Sequence, residues 1–529
     1  MKTKEYLKEL METRKLNRRD FLTAAAAVGV SAAAAGTMFT EAKAAMMKKG
    51  GRLRQALTGG GTGDVLDPAQ TLDSYMINVS FGQLRNNLTE IAADGSLVGE
   101  LAESWEASPD AKTWTFKLRK GVEFHNGKTM DANDVVASLN HHRGEGSKSA
   151  AKGLVKQITD IKADGDNVVI SLSGGNADFS YLVSDYHLTI CPAGDGGIDW
   201  KSGIGTGGYA LDSFEPGVRT LAKRNPNYWK SDRAYFDEIE TLYVADVNAR
   251  QSALKTGEID VMSNPDLKTV NLLGRSGDIT VFKTTGNKQA TLPMFTDVKP
   301  FDNNHVRMAL KLALDREQWL KVIFKNFGVL GNDHPIGPAN QYQAKNLPQR
   351  AYDPDKAKWH LKQAGMENLT VPFSAADTAF EGAVDAAQLF QETAKAAGIT
   401  LNVTREPNDG YWSNVWLKKP WVACYWGGRP TEDWIFSQIY QKGADWNDTH
   451  WDHAKFNELL IQARAELDEE KRRAMYEEMQ LLVRDEGGVI VPAFLSYVHA
   501  ASTKVNLPDQ MANNWELDGH KNGERWSFT

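Results

Sequence analysis

The segment Thr113-Trp-Thr-Phe-Lys-Leu-Arg119 carries the clearest structural pattern in the chain. Its polar and apolar side chains alternate, so that Trp114, Phe116 and Leu118 share one face, as in a half-buried β-strand. The pair Asn126-Gly127 is a turn signal shortly after it. The segment therefore predicts a strand of a one-sided sheet followed by a turn.

The rest of the chain changes character near residue 300. Residues 51–290 are rich in short strands and turns: a second strand is predicted at 168–172, and Asp131 is the predicted N-cap of a helix at 132–140. Beyond 300, apolar residues recur at helical spacing in four segments: 306–323, 379–397, 454–466 and 470–484. Gly398 ends the second of these, and a strand follows at 399–404. This order favours α/β domains around a shared cleft.

The amino-terminal 44 residues have the features of an export signal. Asn17-Arg-Arg-Asp-Phe-Leu22 is a twin-arginine pattern ahead of a weakly apolar run, and Ala42-Lys-Ala44 is an A-x-A cleavage site. A membrane anchor and a mitochondrial presequence are the alternatives, but the run is short and alanine-rich and acidic residues precede it. Residues 1–44 are thus predicted to be a twin-arginine signal peptide. No cysteine follows the cleavage site, which argues against a lipid anchor.

Composition restricts the function classes. The segment 1–44 holds eight Lys/Arg and five Asp/Glu, so its removal changes the net charge from −7 to −10. An acidic protein without a basic stripe is a poor nucleic-acid binder. The remaining chain is too long for one core, so two or three domains are expected. Cys191 and Cys424 are expected to be buried free thiols, with a disulfide as the open alternative.

Motifs for catalysis and cofactors give little support. A G-x-G-x-x-G match at 203–208 is followed by strand-like sequence, whereas a dinucleotide site needs a helix there. His450 and His453 are spaced like two metal ligands, but no third ligand is evident and solvated or capping roles are favoured. No nucleophile elbow, zinc-protease helix or phosphate-binding loop occurs. No cofactor, resident metal or enzymatic activity is predicted.

Aromatic residues are the positive signal. Many of the fifteen tryptophans fall in the window 411–451, beside the turn Trp426-Gly-Gly-Arg-Pro430. Core packing is the default role of tryptophan. Flat apolar walls with accessible backbone amides also suit a small-molecule site, and Arg429 adds a forked donor for a carboxylate.

Several motifs together resemble family 5 of the extracellular solute-binding proteins, the dipeptide/oligopeptide-binding class of ABC importers. The residues that carry the resemblance are Leu101–Trp105, Trp114–Gly127, Asp134–Val136, Gly205–Gly207 with Tyr209, Arg224–Trp229, Gly257–Val261, Val306–Leu310, Leu314–Glu317, Tyr352–Pro354 and Lys356-Ala357. They extend over most of residues 50–500. The resemblance implies an α/β periplasmic binding protein with two lobes, a hinge and an extra inserted domain.

The resemblance also implies domain boundaries and a site. Domain I would comprise 46–88, 188–280 and 490–529, domain II 89–187, and domain III 281–489, with ligand enclosed between I and III when the hinge closes. Peptide-binding members hold the peptide amine with an aspartate after a tryptophan. Here Trp426 matches the tryptophan and Arg429 replaces the aspartate, which favours an anionic or amine-blocked ligand. Alternatively, Arg429 turns outward or pairs with Glu432 or Asp433.

The expected ligand-binding residues lie in both halves of the chain. They are Trp412, Tyr425, Trp426, Gly427, Gly428 and Arg429, together with Asn264, Tyr497 and Tyr75. The expected function is capture of a peptide-like or amino-acid-derived solute, such as an opine, by a monomeric periplasmic protein that delivers it to an inner-membrane permease. A metal or metal-chelate binder of the same fold and an exported hydrolase are the alternatives.

Overall fold

The computed structural model describes residues 18–28, 30, 31, 35, 38 and 47–529, except 72, 195 and 409. In the predicted signal segment, a helix spans Arg18–Ala27. Asn17 and the predicted cleavage site at 42–44 lie outside the described residues. Within the described part of the chain, every helix is too short or too polar to cross a bilayer.

Twenty-one strands and a set of mostly short helices make up the described chain. The strands are β1 Arg52–Leu57, β2 Thr89–Ile91, β3 Leu97–Gly99, β4 Ala102–Ala107, β5 Thr113–Leu118, β6 Ile158–Asp164, β7 Asn167–Leu172, β8 Ala193–Gly194, β9 Gly197–Ile198, β10 Tyr209–Glu215, β11 Arg219–Arg224, β12 Glu238–Tyr243, β13 Val261–Ser263, β14 Ile279–Pro293, β15 Gly328–Leu330, β16 Leu369–Ala375, β17 Ile399–Arg405, β18 Cys424–Trp426, β19 Val489–Ser502, β20 Val505–Asn506 and β21 Ser527–Phe528. Helices after residue 47 span Ser74–Val79, Ala132–His141, Lys152–Val155, Phe179–Leu182, Val247–Thr256, Val270–Leu273, Asn304–Ala313, Arg316–Val322, Pro354–Gln363, Ala383–Ala394, Tyr411–Asn414, Glu432–Ile439, Ala454–Ala465, Glu469–Glu486, Glu516–Gly519 and Asn522–Arg525.

One large mixed sheet connects the two halves of the sequence. Its strand order is β10-β11-β12-β1-β13-β19-β14-β18, and β15 also pairs with β19. The long strands β14 and β19 run antiparallel through its middle, from the pair Ile279 and Ser502 to the pair Pro293 and Val489. Their register shifts between Thr285 and Gln289. Residues 286–288 of β14 therefore lie outside the regular pairing with β19.

Smaller sheets and separate hydrophobic cores surround this sheet. The four-stranded sheet β4-β5-β7-β6 encloses a core that includes Trp114, Phe116 and Val135. Another core lies on β1 and its neighbours, and two more occupy the region 290–494. The exact domain boundaries proposed from the sequence stay predictions.

Local predictions are largely confirmed. The strand at 113–118 forms as predicted, and Asp131 caps Ala132–His141 in a reciprocal capping box with Asp134. Gly398 ends the segment after Ala383–Ala394 with φ 75°, a backbone conformation that suits glycine. The mixed α/β class is confirmed.

The single helix predicted at 306–323 is wrong. Two helices occupy it, because Leu314 is extended and Asp315 begins a new helix by accepting a hydrogen bond from the Gln318 amide at 2.9 Å. The apolar period continues across this break, which is why the pattern alone suggested one helix.

Candidate functional site

The turn that carries Arg429 leaves the large sheet at its edge. Strand β18 pairs with β14, placing Trp426 opposite Gln289 and Tyr425 opposite Ala290. Gly427 and Gly428 follow, and Thr431 then caps the helix Glu432–Ile439 by accepting from the Trp434 amide at 3.4 Å. Arg429 is therefore held between a sheet edge and a helix start, two rigid anchors.

Arg429 is half-buried and partly engaged. Its Nε donates to Oε1 of Gln438 at 2.8 Å, and its Nη1 donates to the carbonyls of Gly427 and Gly428 at 3.1 and 3.2 Å. The guanidinium also lies over the ring of Trp434, 5.5 Å from its centroid. Burial lowers the pKa of Arg429. Among the described residues, no carboxylate lies within ion-pair distance of it.

The two nearby acidic residues are engaged elsewhere. Glu432 accepts from the Tyr342 amide at 2.6 Å, and Asp433 pairs with Nε of Arg464 at 2.9 Å. Burial raises the pKa of Glu432 to about 7 and also raises that of Asp433. The predicted alternative, an ion pair between Arg429 and either residue, does not form in this structure.

The aromatic residues around the turn divide into exposed and structural ones. Trp412 and Tyr425 are 39% and 41% exposed, and their rings meet edge to face at 5.7 Å. Trp426 is only 6% exposed, and its Nε1 donates to Oδ2 of Asp448, as does Nε1 of Trp416, each at 3.2 Å. Trp426 is thus a buried structural residue, whereas Tyr425 and Trp412 present exposed aromatic surface that a solute could contact.

Asn264 and Tyr497 lie close to each other, where the chain leaves β13 beside β19. The Asn264 amide donates to the carbonyl of Val498 at 3.2 Å, next to Tyr497 on β19. Asn264 has φ 48°, a left-handed conformation that asparagine tolerates, and Nη2 of Arg250 donates to its carbonyl at 3.0 Å. Its side chain is exposed, while Tyr497 is nearly buried.

Tyr75 does not join these residues. Its side chain is fully buried in the core around β1, and its hydroxyl hydrogen bonds to Oγ1 of Thr220 at 2.8 Å and to the carbonyl of Thr241 at 3.2 Å. The sequence suggested Tyr75 from its local position only, and burial removes it from the surface of any cleft. We leave it out of the site.

Two large cavities open near the turn. One, of about 950 Å³, lies between residues 264–268 and 377–389, and Asn264, Lys288 and Tyr425 line it. The other, of about 900 Å³, lies between residues 150–182 and 430–464, and Trp434 and Gln438 line it. Arg429 itself lines neither cavity; it contacts Gln438 and Trp434, which line the second one.

Sequence reasoning missed two residues that shape the site. Asn287 lies at the register shift of β14, and its Nδ2 donates to the Arg429 carbonyl at 3.2 Å. Oε1 of Gln438 accepts a hydrogen bond from Nε of Arg429 at 2.8 Å. Gln438 lies nine residues after Arg429, in the helix Glu432–Ile439, which was not predicted from the sequence. Asn287 is 142 residues away in sequence and carries no local signal.

The other predicted candidates have structural roles. His453 caps the helix Ala454–Ala465, whereas His450 stacks on Phe295 and contacts the Asp297 carboxylate at 3.0 Å. The strand β10 follows the glycine motif at 203–208, so the motif lacks the helix that a dinucleotide site needs. Cys191 and Cys424 are free and buried, as expected.

Comparison with known proteins agrees with this architecture. Residues 96–448 match the family model described as bacterial extracellular solute-binding proteins, family 5 Middle. The di/tripeptide-binding protein 1 of Pseudomonas aeruginosa (strain UCBPP-PA14) is 24% identical over 472 residues, which cover 79% of this chain and 85% of that relative.

Solved structures show the same fold. The ABC transporter-associated periplasmic binding protein DppA from Helicobacter pylori, in complex with the peptide STSA, has a TM-score of 0.73 and 24% identity, covering 92% of this chain and 99% of that one. The binding protein AgaA of A. tumefaciens R10, in complex with agropinic acid, has a TM-score of 0.71 and 22% identity, covering 90% and 99%.

The fold is that of the periplasmic binding proteins. Within that class, the chain belongs to family 5 of the bacterial extracellular solute-binding proteins. Its role is that of the substrate-binding protein of an ABC importer. Members of this fold hold ligands as different as a peptide and agropinic acid, so the family does not fix the solute.

Proposed function

We propose that this protein captures an amino-acid-derived or peptide-like solute through a carboxylate of that solute, and delivers it to a membrane permease without catalysing a reaction. The observation that carries the proposal is Arg429, a half-buried guanidinium in contact with two residues that line a large cavity. No described carboxylate lies within ion-pair distance of it, and Asp185 acts on it only from farther away. A ligand carboxylate would supply the missing counter-charge.

The physical argument rests on the cost of an unpaired charge. Arginine stays protonated in proteins, so burial leaves Arg429 charged and poorly solvated. Its hydrogen bonds to Gln438, Gly427 and Gly428 fix the orientation of the guanidinium without neutralising it. An anion that approaches Nη2 would form a charge-assisted hydrogen bond in a preorganised geometry, whereas a free peptide amine would be repelled.

The surroundings suit an amino-acid conjugate. Tyr425 and Trp412 offer exposed aromatic surface shortly before Arg429 in the chain, and Gln438 and Trp434, which contact Arg429, line a large cavity. Both cavities are large enough for a solute bigger than a single amino acid. A peptide, an opine-like conjugate and an acidic sugar conjugate all fit this description, and they share the carboxylate.

We further propose that the twin-arginine pathway exports the protein to the periplasm. The pattern at residues 17–22 supports this route, and the relatives are extracellular or periplasmic binding proteins. Replacing both Arg18 and Arg19 with lysine should stop the protein from appearing in the periplasmic fraction. Unchanged export of that variant would show that another pathway is used.

A thermal-shift screen tests the proposed binding function. Unmodified di- and tripeptides, N-acylated peptides, opines and acidic sugars would be compared with the corresponding carboxamides. A ligand at 100 times its dissociation constant adds about 2.7 kcal/mol to the free energy of unfolding, a shift of a few degrees. Stabilisation by carboxylates but not by their amides supports the proposal. Recovery of a cleaved solute after long incubation would instead indicate a hydrolase.

A further inference from the structure

The segment Asn513–Glu516 packs against β14 at Thr285 and Gly286, next to the residue that binds the Arg429 turn. A methyl group at Gly286 would lie 2.0 Å from the Asn513 carbonyl, so the two backbones touch there. Nδ2 of Asn513 also donates to the carbonyl of Thr285 at 3.0 Å. The next residue of β14, Asn287, binds the Arg429 carbonyl. Two loops distant in sequence thus meet at adjacent residues of one strand.

Glu516 presents a carboxylate at this meeting point. Oγ of Ser74 donates to its Oε2 at 2.8 Å, and Nδ2 of Asn264 donates to its Oε1 at 3.4 Å. Asn264 lines the cavity of about 950 Å³, so Glu516 lies one hydrogen bond behind a lining residue of that cavity. The left-handed backbone of Asn264 is the conformation in which its side chain reaches Glu516.

The half-buried carboxylate of Glu516 has no ion-pair partner among the described residues. Lys288 is the nearby lysine, and it lies beyond ion-pair distance. His499 and His520 are also close, but burial lowers the pKa of each to about 4, so both are neutral at neutral pH. Burial opposes ionisation of Glu516, but the two histidines where they are protonated, Lys288 and the Ser74 hydrogen bond outweigh it and lower its pKa.

Tyr497 connects Glu516 electrostatically with Arg429. Burial raises the pKa of the Tyr497 hydroxyl, the charge of Glu516 raises it further, and the charge of Arg429 lowers it. One buried hydroxyl is therefore within the field of both groups. The Tyr497 ring also packs against β14 at Gly286, 3.2 Å from where a methyl group would lie there. An anion and a cation, neither with an ion-pair partner in the described chain, thus lie near one tyrosine.

We infer that Glu516 accepts the ammonium group of a zwitterionic solute whose carboxylate binds Arg429. The inference rests on the proposed function, because it assigns the second charge of the same ligand. Arg429 is a cation and cannot accept an amine, whereas the Glu516 carboxylate can, and its partner Asn264 lines the larger cavity. The solute class is then an amino acid conjugate or short peptide with a free primary or secondary amine.

Matched compounds and matched variants separate the two charges. Calorimetry with the purified protein would compare each zwitterionic compound of a panel, dipeptides and opines, with its N-acetylated and its C-amidated form. Glu516→Gln keeps the size and the hydrogen-bond acceptor of the side chain but removes its charge. Glu381→Gln is the control, because Glu381 is an exposed carboxylate that lines the same cavity.

The inference predicts that wild type and Glu381→Gln bind the zwitterion at least about 10-fold more tightly than its N-acetyl form, and that Glu516→Gln loses this preference while still rejecting the amide. Equal or tighter binding of N-acetylated compounds by wild type would overturn it, as would an unchanged preference in Glu516→Gln or failure of every zwitterion to bind. If C-amidation has no effect on binding, the proposed function fails, and this result is distinct from those that overturn the role of Glu516.

Discussion

Nδ2 of Asn287 donates a hydrogen bond to the carbonyl oxygen of Arg429 at 3.2 Å, and its Oδ1 accepts one from the Ala339 amide at 2.9 Å. Asn287 lies where the register between β14 and β19 shifts. The turn that carries Arg429 is thereby attached to β14 at this irregular point of the large sheet. A displacement of β14 at that point would move Arg429 with it.

This attachment predicts different effects of two neighbouring glycine substitutions. In Gly428→Ala the new methyl group would lie 2.8 Å from Cβ of Asn287, too close without a shift of the turn. We expect a loss of about 1–3 kcal/mol in the free energy of unfolding and weaker solute binding. Urea unfolding and calorimetry measure the two effects.

Gly427→Ala is the matched control. A methyl group there comes no closer than 3.7 Å to any neighbour, namely Nη1 of Arg429. Its stability should stay within about 0.5 kcal/mol of wild type. Equal losses in both variants would mean that the contact with Asn287 does not position the turn.

The buried carboxyl of Asp448 predicts a pH-dependent stability. Burial raises its pKa from 3.8 to about 6, against the hydrogen bonds from Trp416 and Trp426. The folded state therefore favours the protonated form, and this contribution to stability is present below about pH 4 and lost as the pH rises through 6. As the pH rises across that interval, the free energy of unfolding of Asp448→Asn should increase by up to about 3 kcal/mol relative to that of wild type.

Urea unfolding at a series of pH values measures this difference. Asp445→Asn serves as the control, since Asp445 is an exposed carboxylate three residues earlier, and the stability difference should be small at every pH. A constant difference between wild type and Asp448→Asn from pH 4 to 7 would contradict the assignment.

A buried ion network attaches the carboxyl-terminal segment to the rest of the protein. Nζ of Lys230 contacts Glu90, Glu100 and Glu524 at 2.6, 2.7 and 2.9 Å. Lys230→Met leaves these carboxylates without that cation, and we expect a loss of about 3–5 kcal/mol in the free energy of unfolding. Calorimetric melting would detect it.

An exposed ion pair provides the comparison. Nζ of Lys117 contacts Glu103 at 2.6 Å, and both side chains are well exposed. Lys117→Met should therefore cost far less stability than Lys230→Met. If Lys230→Met were no more destabilising than Lys117→Met, the network would not hold the carboxyl-terminal segment in place.

The sequence predicted features that depend on neighbouring residues. The alternation at 113–118 gave a strand, Asp131 gave a helix start, and Gly398 gave a helix end, because each depends on interactions within a few residues. The break before Asp315 carried a capping signal too, but the apolar period obscured it. Motifs along the chain indicated the family directly.

The site was predictable only in part. Arg429 and its glycines could be proposed because they follow a recognisable tryptophan in a short segment. The contact of Arg429 with Asn287 joins residues 142 positions apart, and those of Glu516 with Ser74 and Asn264 join residues 442 and 252 positions apart. The burial of Tyr75 was not predictable for the same reason, since its partners Thr220 and Thr241 are far away in sequence.

The most direct measurement of the central claim is calorimetric titration of a stabilising carboxylate and of its carboxamide into wild type, Arg429→Gln and Lys268→Gln. Lys268 is an exposed cation that lines the larger cavity, so its variant controls for the loss of one positive charge. We predict that wild type and Lys268→Gln bind the carboxylate at least about 10-fold more tightly than the amide, and that Arg429→Gln does not distinguish them. Unchanged carboxylate affinity in Arg429→Gln would contradict the account.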